Sequence, residues 1–129
     1  MNIVFYMPDQ IKVRERFYRV VEMAETKAKT EVFRDIRDLS YRLSRSSDAD
    51  TIAVLLVITE NDLNNLVLSR HLFSDIPLIL ILPYREIRTT SIGYRLGPRF
   101  LTYMDVNVEE VAAVLEKMIQ NYRNKKLRK

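Results

Sequence analysis

The chain has 129 residues, 47% of them hydrophobic and 29% charged, the size and mix of one domain with a single core. It has no cysteine, which excludes disulfides, thiolate metal sites and a cysteine nucleophile, and its lone histidine, His71, excludes histidine metal clusters. Gly93 and Gly97 are its two glycines, too few for a Walker loop or a GxGxxG dinucleotide fingerprint.

The formal charge of +4 is unevenly spread. Arg123, Lys125, Lys126, Arg128 and Lys129 crowd the last seven residues, with no acid among them. The preceding 122 residues carry 16 basic against 17 acidic groups and are close to neutral. A domain over 1–122 with a basic tail over 123–129 is therefore expected. Such a tail is ordinarily a solvated, frayed helix end. Its other use is to hold nucleic acid or an anionic surface. The longest apolar runs, 52–58 and 76–83, are strand-length, whereas a bilayer span needs roughly 20 residues. No basic leader precedes the first apolar stretch, so no signal peptide is expected and the expected location is cytoplasmic.

Five short β-like runs alternate with five helix-like segments. The first strand covers 2–7. The helix after it, about 10–27, places Phe17, Val20, Val21, Ala24 and Ala28 at helical spacing, with lysines and arginines between them. A brief second strand over 30–34 leads into a helix over 35–45 whose apolar positions are Ile36, Leu39 and Leu43. Residues 46–50 read as a turn.

The run TIAVLLVI at 51–58 is continuously apolar, the mark of a strand covered on both faces. Thr59 is placed to cap a helix over 60–74, with Asp62 in its first turn. PLILIL at 77–82 is a second two-faced strand. A weaker helix spans 85–96 and stops at Gly97 and Pro98. A fifth strand covers 99–104. Asn107, with Glu110 three residues on, resembles a capping box for a helix from 108 whose face is Val111, Ala112, Leu115, Ile119 and Tyr122.

This alternation predicts an α/β fold: one three-layer α/β/α domain around a five-stranded parallel sheet in the order 2-1-3-4-5, with five helices. Ligand sites of such sheets lie at the carboxyl ends of the strands.

Three stretches resemble the receiver domain of bacterial response regulators, a CheY-like, flavodoxin-like domain. EVFRDIRDLSYRL at 31–43 looks like its second strand and helix. LVLSRHL at 66–72 and DIPLIL at 75–80 look like its third helix running into the fourth strand. FLTY at 100–103 and then 107–115 resemble its fifth strand and last helix. In that family an aspartate ending strand three accepts phosphate, an acidic pair after strand one holds Mg²⁺, a Ser or Thr ends strand four, and a lysine ends strand five. The carboxylates bind a hard cation that neutralises the phosphoryl oxygens, and the lysine pairs with the phosphorylated aspartate.

On the matching positions here the acceptor falls on Val57, and the acidic pair on Met7 and Pro8 with Asp9 beside them. The hydroxyl falls on Leu82 or Pro83 and the lysine on Tyr103. A shift of one or two residues brings Thr59 and Glu60 closest to the acceptor, and neither is an aspartate. The resemblance implies a degenerate receiver that cannot run aspartyl-phosphate chemistry, with no catalytic residue, no metal ligands and no cofactor.

Other constellations compete for attention near the carboxyl edge. Asp9, Glu60 and Asp105 offer oxygen ligands for a divalent cation; the plainer reading puts Glu60 in a helix first turn and the other two beside helix starts. Tyr84, Arg85, Tyr103 and Asp9 are candidates for a small pocket with Arg85 as anion anchor. His71 reads as a partly exposed helix residue. The resemblance also points to the face built from helix four, strand five and helix five, where receivers dimerise or meet their output partner. Here it carries Tyr94, Arg95, Arg99, Phe100 and Tyr103. Phe100 falls where the family keeps a switch aromatic; the plainer reading packs it in the core.

The function expected is therefore a non-enzymatic pseudo-receiver acting by protein–protein contact in bacterial signalling, its partner another signalling protein or a second copy of itself. Only about seven residues follow the last predicted helix, so that partner is expected on a separate chain. The alternative, of a different class, is binding of nucleic acid or an anionic surface by the basic tail with Tyr122. A third reading, a sensor or enzyme for a phosphate-bearing ligand at the carboxyl edge, lacks a glycine-rich or hydroxyl-rich loop after Met7.

Overall fold

The computed structural model of the chain describes residues 1–8, 11–45 and 50–127. Five strands, β1 (Asn2–Tyr6), β2 (Lys29–Phe33), β3 (Thr51–Leu56), β4 (Leu78–Leu82) and β5 (Phe100–Tyr103), alternate with five helices. These are α1 (Ile11–Glu25), α2 (Ile36–Arg45), α3 (Glu60–Leu68), α4 (Ile87–Gly93) and α5 (Val108–Leu127). Every neighbouring strand pair is parallel and the order is β2-β1-β3-β4-β5, the doubly wound sheet expected from the sequence pattern.

Strand side chains alternate between two cores. Ile3, Phe5, Val54 and Ile81 meet Phe17 and Val20 of α1 and Val111 and Leu115 of α5 on one face. Val4, Leu55, Leu78 and Leu80 meet Leu39 of α2 and Leu63 and Leu66 of α3 on the other. Because both faces are covered, every residue of β3 and β4 is buried, which explains why their sequences show no polar alternation. β2, at the sheet edge, has a mixed pattern of exposed and half-buried residues.

Two helices are shorter than the sequence pattern suggests. α3 ends at Leu68, where the Ser69 backbone N–H doubles back to the carbonyls of Asn65 and Leu66. A 3₁₀ turn, Arg70–Phe73, then carries the chain to β4. α4 stops at Gly93 and tightens into a second 3₁₀ turn, Tyr94–Leu96, closed by Gly97 at φ 66°. That left-handed conformation strains any residue with a Cβ. Gly93 serves a different need. A Cβ there would lie 3.0 Å from Leu80 and 3.2 Å from Leu82 side-chain carbons, so its absence lets α4 sit close against β4.

The helix caps follow the sequence in one case and depart from it in another. The Thr59 hydroxyl oxygen accepts from the Asp62 N–H at 3.1 Å, the cap anticipated for α3. At α5, Asn107 Oδ1 accepts from the Glu109 N–H at 3.0 Å, while the Glu110 side chain does not return the bond that a capping box requires.

Candidate functional site

The carboxyl ends of the strands bring the receiver-like positions together. The register pairs Tyr6 with Leu55, Leu56 with Ile81, and Leu82 with Tyr103. Val57 follows directly on β3, its N–H bonded to the Ile81 carbonyl at 2.9 Å. Met7, Val57 and Leu82 are all buried, Val57 and Leu82 completely. Pro8 and Pro83 are half-buried, and Asp9 lies outside the described residues. Thus the rung formed by Met7, Val57 and Leu82 is hydrophobic.

Several charges that border this rung are paired. Arg85 forms a two-pronged contact with Asp105, Nε to Oδ2 at 3.1 Å and Nη2 to Oδ1 at 2.9 Å. Its guanidinium lies 4.4 Å from the centre of the Tyr103 ring, a cation–π stack. Asp105 is held below the usual carboxylate range, first by its hydrogen bonds from Arg85 and then by that charge. The anion anchor considered from the sequence is thereby engaged internally. Tyr103 shares a 2.9 Å hydrogen bond with Thr90 of α4. Glu60 Oε1 lies 3.0 Å from Arg88 Nε, off the N–H axis, so this shielded oxygen has an ion-pair partner but accepts no hydrogen bond. Arg16 of α1 donates to the carbonyls of Met104 and Val106. Among the described residues no group of three acidic or histidine side chains is arranged to hold a metal ion.

Tyr6 adds a buried polar contact beneath this edge. Its hydroxyl bonds Asp62, and burial, then the charges of Asp62 and Asp35, push its ionisation well above the usual tyrosine range. Asp62 itself is raised, burial outweighing the bond from Tyr6.

The five residues expected on one interaction face are distributed over several environments. Tyr94 is 61% exposed. Phe100 is half-buried against the α1 and α5 core. Tyr103 is at the carboxyl edge, whereas Arg95 and Arg99 lie at the opposite, amino edge. The tail also divides. α5 continues helically through Leu127, and Arg123 donates to the Lys27 carbonyl at the end of α1. Lys125 instead lines the amino edge beside Tyr122. Arg128 and Lys129 lie outside the described residues.

That amino edge holds the groove the sequence did not reveal. It has a volume of about 620 Å³, and its walls include Arg70, His71, Asp75, Arg95 and Arg99. Thr90 and Arg88, the partners of Tyr103 and Glu60, were likewise invisible, since no local spacing links them to the residues they meet.

No family model matches the chain, and a comparison with curated proteins finds no match. Solved structures do match. A CheY-like response regulator receiver domain protein from Methanospirillum hungatei JF-1 superposes with a TM-score of 0.71 at 10% identity, over 96% of this chain and 97% of that one. A response regulator protein from Burkholderia pseudomallei, solved with a phosphorylated aspartic acid, a calcium ion and citrate, gives 0.64 at 14% identity. That match covers 97% of this chain and 72% of the other. The fold is that of a response regulator receiver domain.

Proposed function

We propose that this chain is a receiver-fold signalling module that takes no phosphate on an aspartate and acts through protein–protein contact. The observation that supports this reading is the complete burial of Val57, the residue matched to the acceptor carboxylate of receivers. Phosphoryl transfer to such a site needs a nucleophilic oxygen and a hard cation held by carboxylates. Val57, Met7 and Pro8 supply neither, and Tyr103 has no charge to offer a phosphoryl group. In place of a switch, the Arg85–Asp105 pair and the Tyr103–Thr90 bond tie the carboxyl edge to α4 in one arrangement. This reading assigns no catalytic residue.

The contact surface in this proposal is the outer side of α4 and its flanks. Ile87 is 87% exposed, and Tyr84 and Tyr94, before and after α4, are exposed as well. Tyrosines are enriched at protein contacts. The partner is a separate protein chain, a second copy included.

The test is incubation with Mg²⁺ and acetyl phosphate or beryllofluoride, followed by intact mass and sedimentation velocity. The expected result is an unchanged mass and an unchanged sedimentation coefficient. A stoichiometric phosphoryl adduct would overturn the reading. A constitutive dimer lost on Ile87→Asp would identify the partner as a second copy.

A further inference from the structure

The strongest unexplained feature of the molecule is the amino edge of the sheet. Arg70 comes from the turn after α3, Arg95 from the turn after α4, Arg99 from the approach to β5, and Lys125 from the end of α5. The groove of about 620 Å³ shares Asp75, Pro77 and Arg99 with a smaller one of about 160 Å³ lined by Tyr122 and Lys125, so the two adjoin at this edge. Four arginines elsewhere are in ion pairs: Arg19 with Glu109, Arg42 with Glu31, Arg85 with Asp105 and Arg88 with Glu60. The side chains of Arg70, Arg95, Arg99 and Lys125 have no ion pair among the described residues. One groove carboxylate, Asp75, faces them. Asp50 nearby is bonded by the Tyr122 hydroxyl.

We infer that these adjoining grooves bind the phosphodiester backbone of single-stranded nucleic acid. Three unpaired guanidiniums and an ammonium form a track of donors, and the guanidinium fork matches phosphate oxygens. The cations line concave grooves, which a flat anionic bilayer cannot enter but a single strand can. Tyr94, exposed and next to Arg95 in the 3₁₀ turn, offers a ring for base stacking at that end. The surface is separate from the carboxyl edge, so this inference does not depend on the fate of the acceptor position.

The experiment is fluorescence anisotropy of the full chain with labelled single-stranded DNA and RNA 20-mers, a duplex and polyglutamate, across a salt series. Four phosphate contacts predict a slope of log K against log salt of about −3, an affinity loss of about 50-fold between 50 and 200 mM salt. The double variant Arg95→Ala/Arg99→Ala, at two exposed positions, is expected to keep its melting temperature, weaken binding about tenfold or more and flatten the slope by about 1.4. Truncation after Lys125 is expected to leave the larger part of the affinity. Absence of binding at 50 mM salt overturns the inference. So does binding unaffected by the double variant but abolished by the truncation, which would place it on the tail alone. Equal affinity for polyglutamate would also overturn it, in favour of an acidic polypeptide.

Discussion

The two ends of one parallel sheet are finished in opposite ways. At the carboxyl edge, Met7, Val57 and Leu82 are buried, and three flanking charge pairs are formed: Arg85 with Asp105, Arg88 with Glu60, Arg19 with Glu109. At the amino edge, Arg70, Arg95, Arg99 and Lys125 line adjoining grooves against one facing carboxylate. In a receiver fold the carboxyl edge is where chemistry is expected, yet here a cluster of cations without ion pairs among the described residues lies at the other end. A fold-level likeness therefore says where to look first, and the charge inventory says whether anything is there.

The sharpest way to break this contrast is to place a charge at each end. Val57→Asp puts an unpaired carboxylate into a fully buried position and is expected to cost about 3–5 kcal/mol in urea melts, comparable to an unpaired buried charge. Exposed positions of the amino edge, by comparison, tolerate substitution within about 0.5 kcal/mol. If Val57→Asp cost less than about 1 kcal/mol, the carboxyl edge would be open to water and the comparison would collapse. Tyr103→Phe removes the bond to Thr90 and is expected to cost about 1 kcal/mol, with faster amide exchange confined to α4. Unchanged α4 exchange would mean the bond does not hold that helix.

The smallest effect concerns pH. Tyr6 ionises in the folded protein well above its ordinary value of 10.0, because burial and Asp62 oppose the phenolate. A folded-state value above the unfolded one gives stability that is complete below pH 10 and falls as pH rises beyond it. Tyr122, pushed up to about 12 chiefly by its bond to Asp50, contributes in the same direction. Urea melts of the parent and Tyr6→Phe at pH 9 and pH 11 should converge as pH rises. Parallel curves would show that Tyr6 is not shielded.

Much of the fold was legible because burial leaves a direct mark on strand composition. TIAVLLVI and the LILIL core of β4 announce covered central strands, and Thr59 announces a helix start, since each signal is contained within a few neighbouring residues. Helix ends were less legible. α3 and α4 end early through 3₁₀ turns that depend on where the chain must descend to the next strand. The site divides in the same way. The hydrophobic identity of Val57, Met7 and Leu82 is a matter of sequence, whereas the pairing of Arg85 with Asp105 and Tyr103 with Thr90 joins different elements.

Sequence by itself determined the alternation of strands and helices, the apolar character of Met7, Val57 and Leu82 and the excess of cations late in the chain. Only the tertiary structure decided that Arg70, Arg95, Arg99 and Lys125 gather in adjoining grooves at the amino edge. Cations are favoured near helix C-termini by the helix dipole. In a parallel sheet the returning helices run against the strands, so the C-terminal ends of α3, α4 and α5 arrive at the amino edge together. A preference local to each helix becomes a shared electrostatic surface through topology alone.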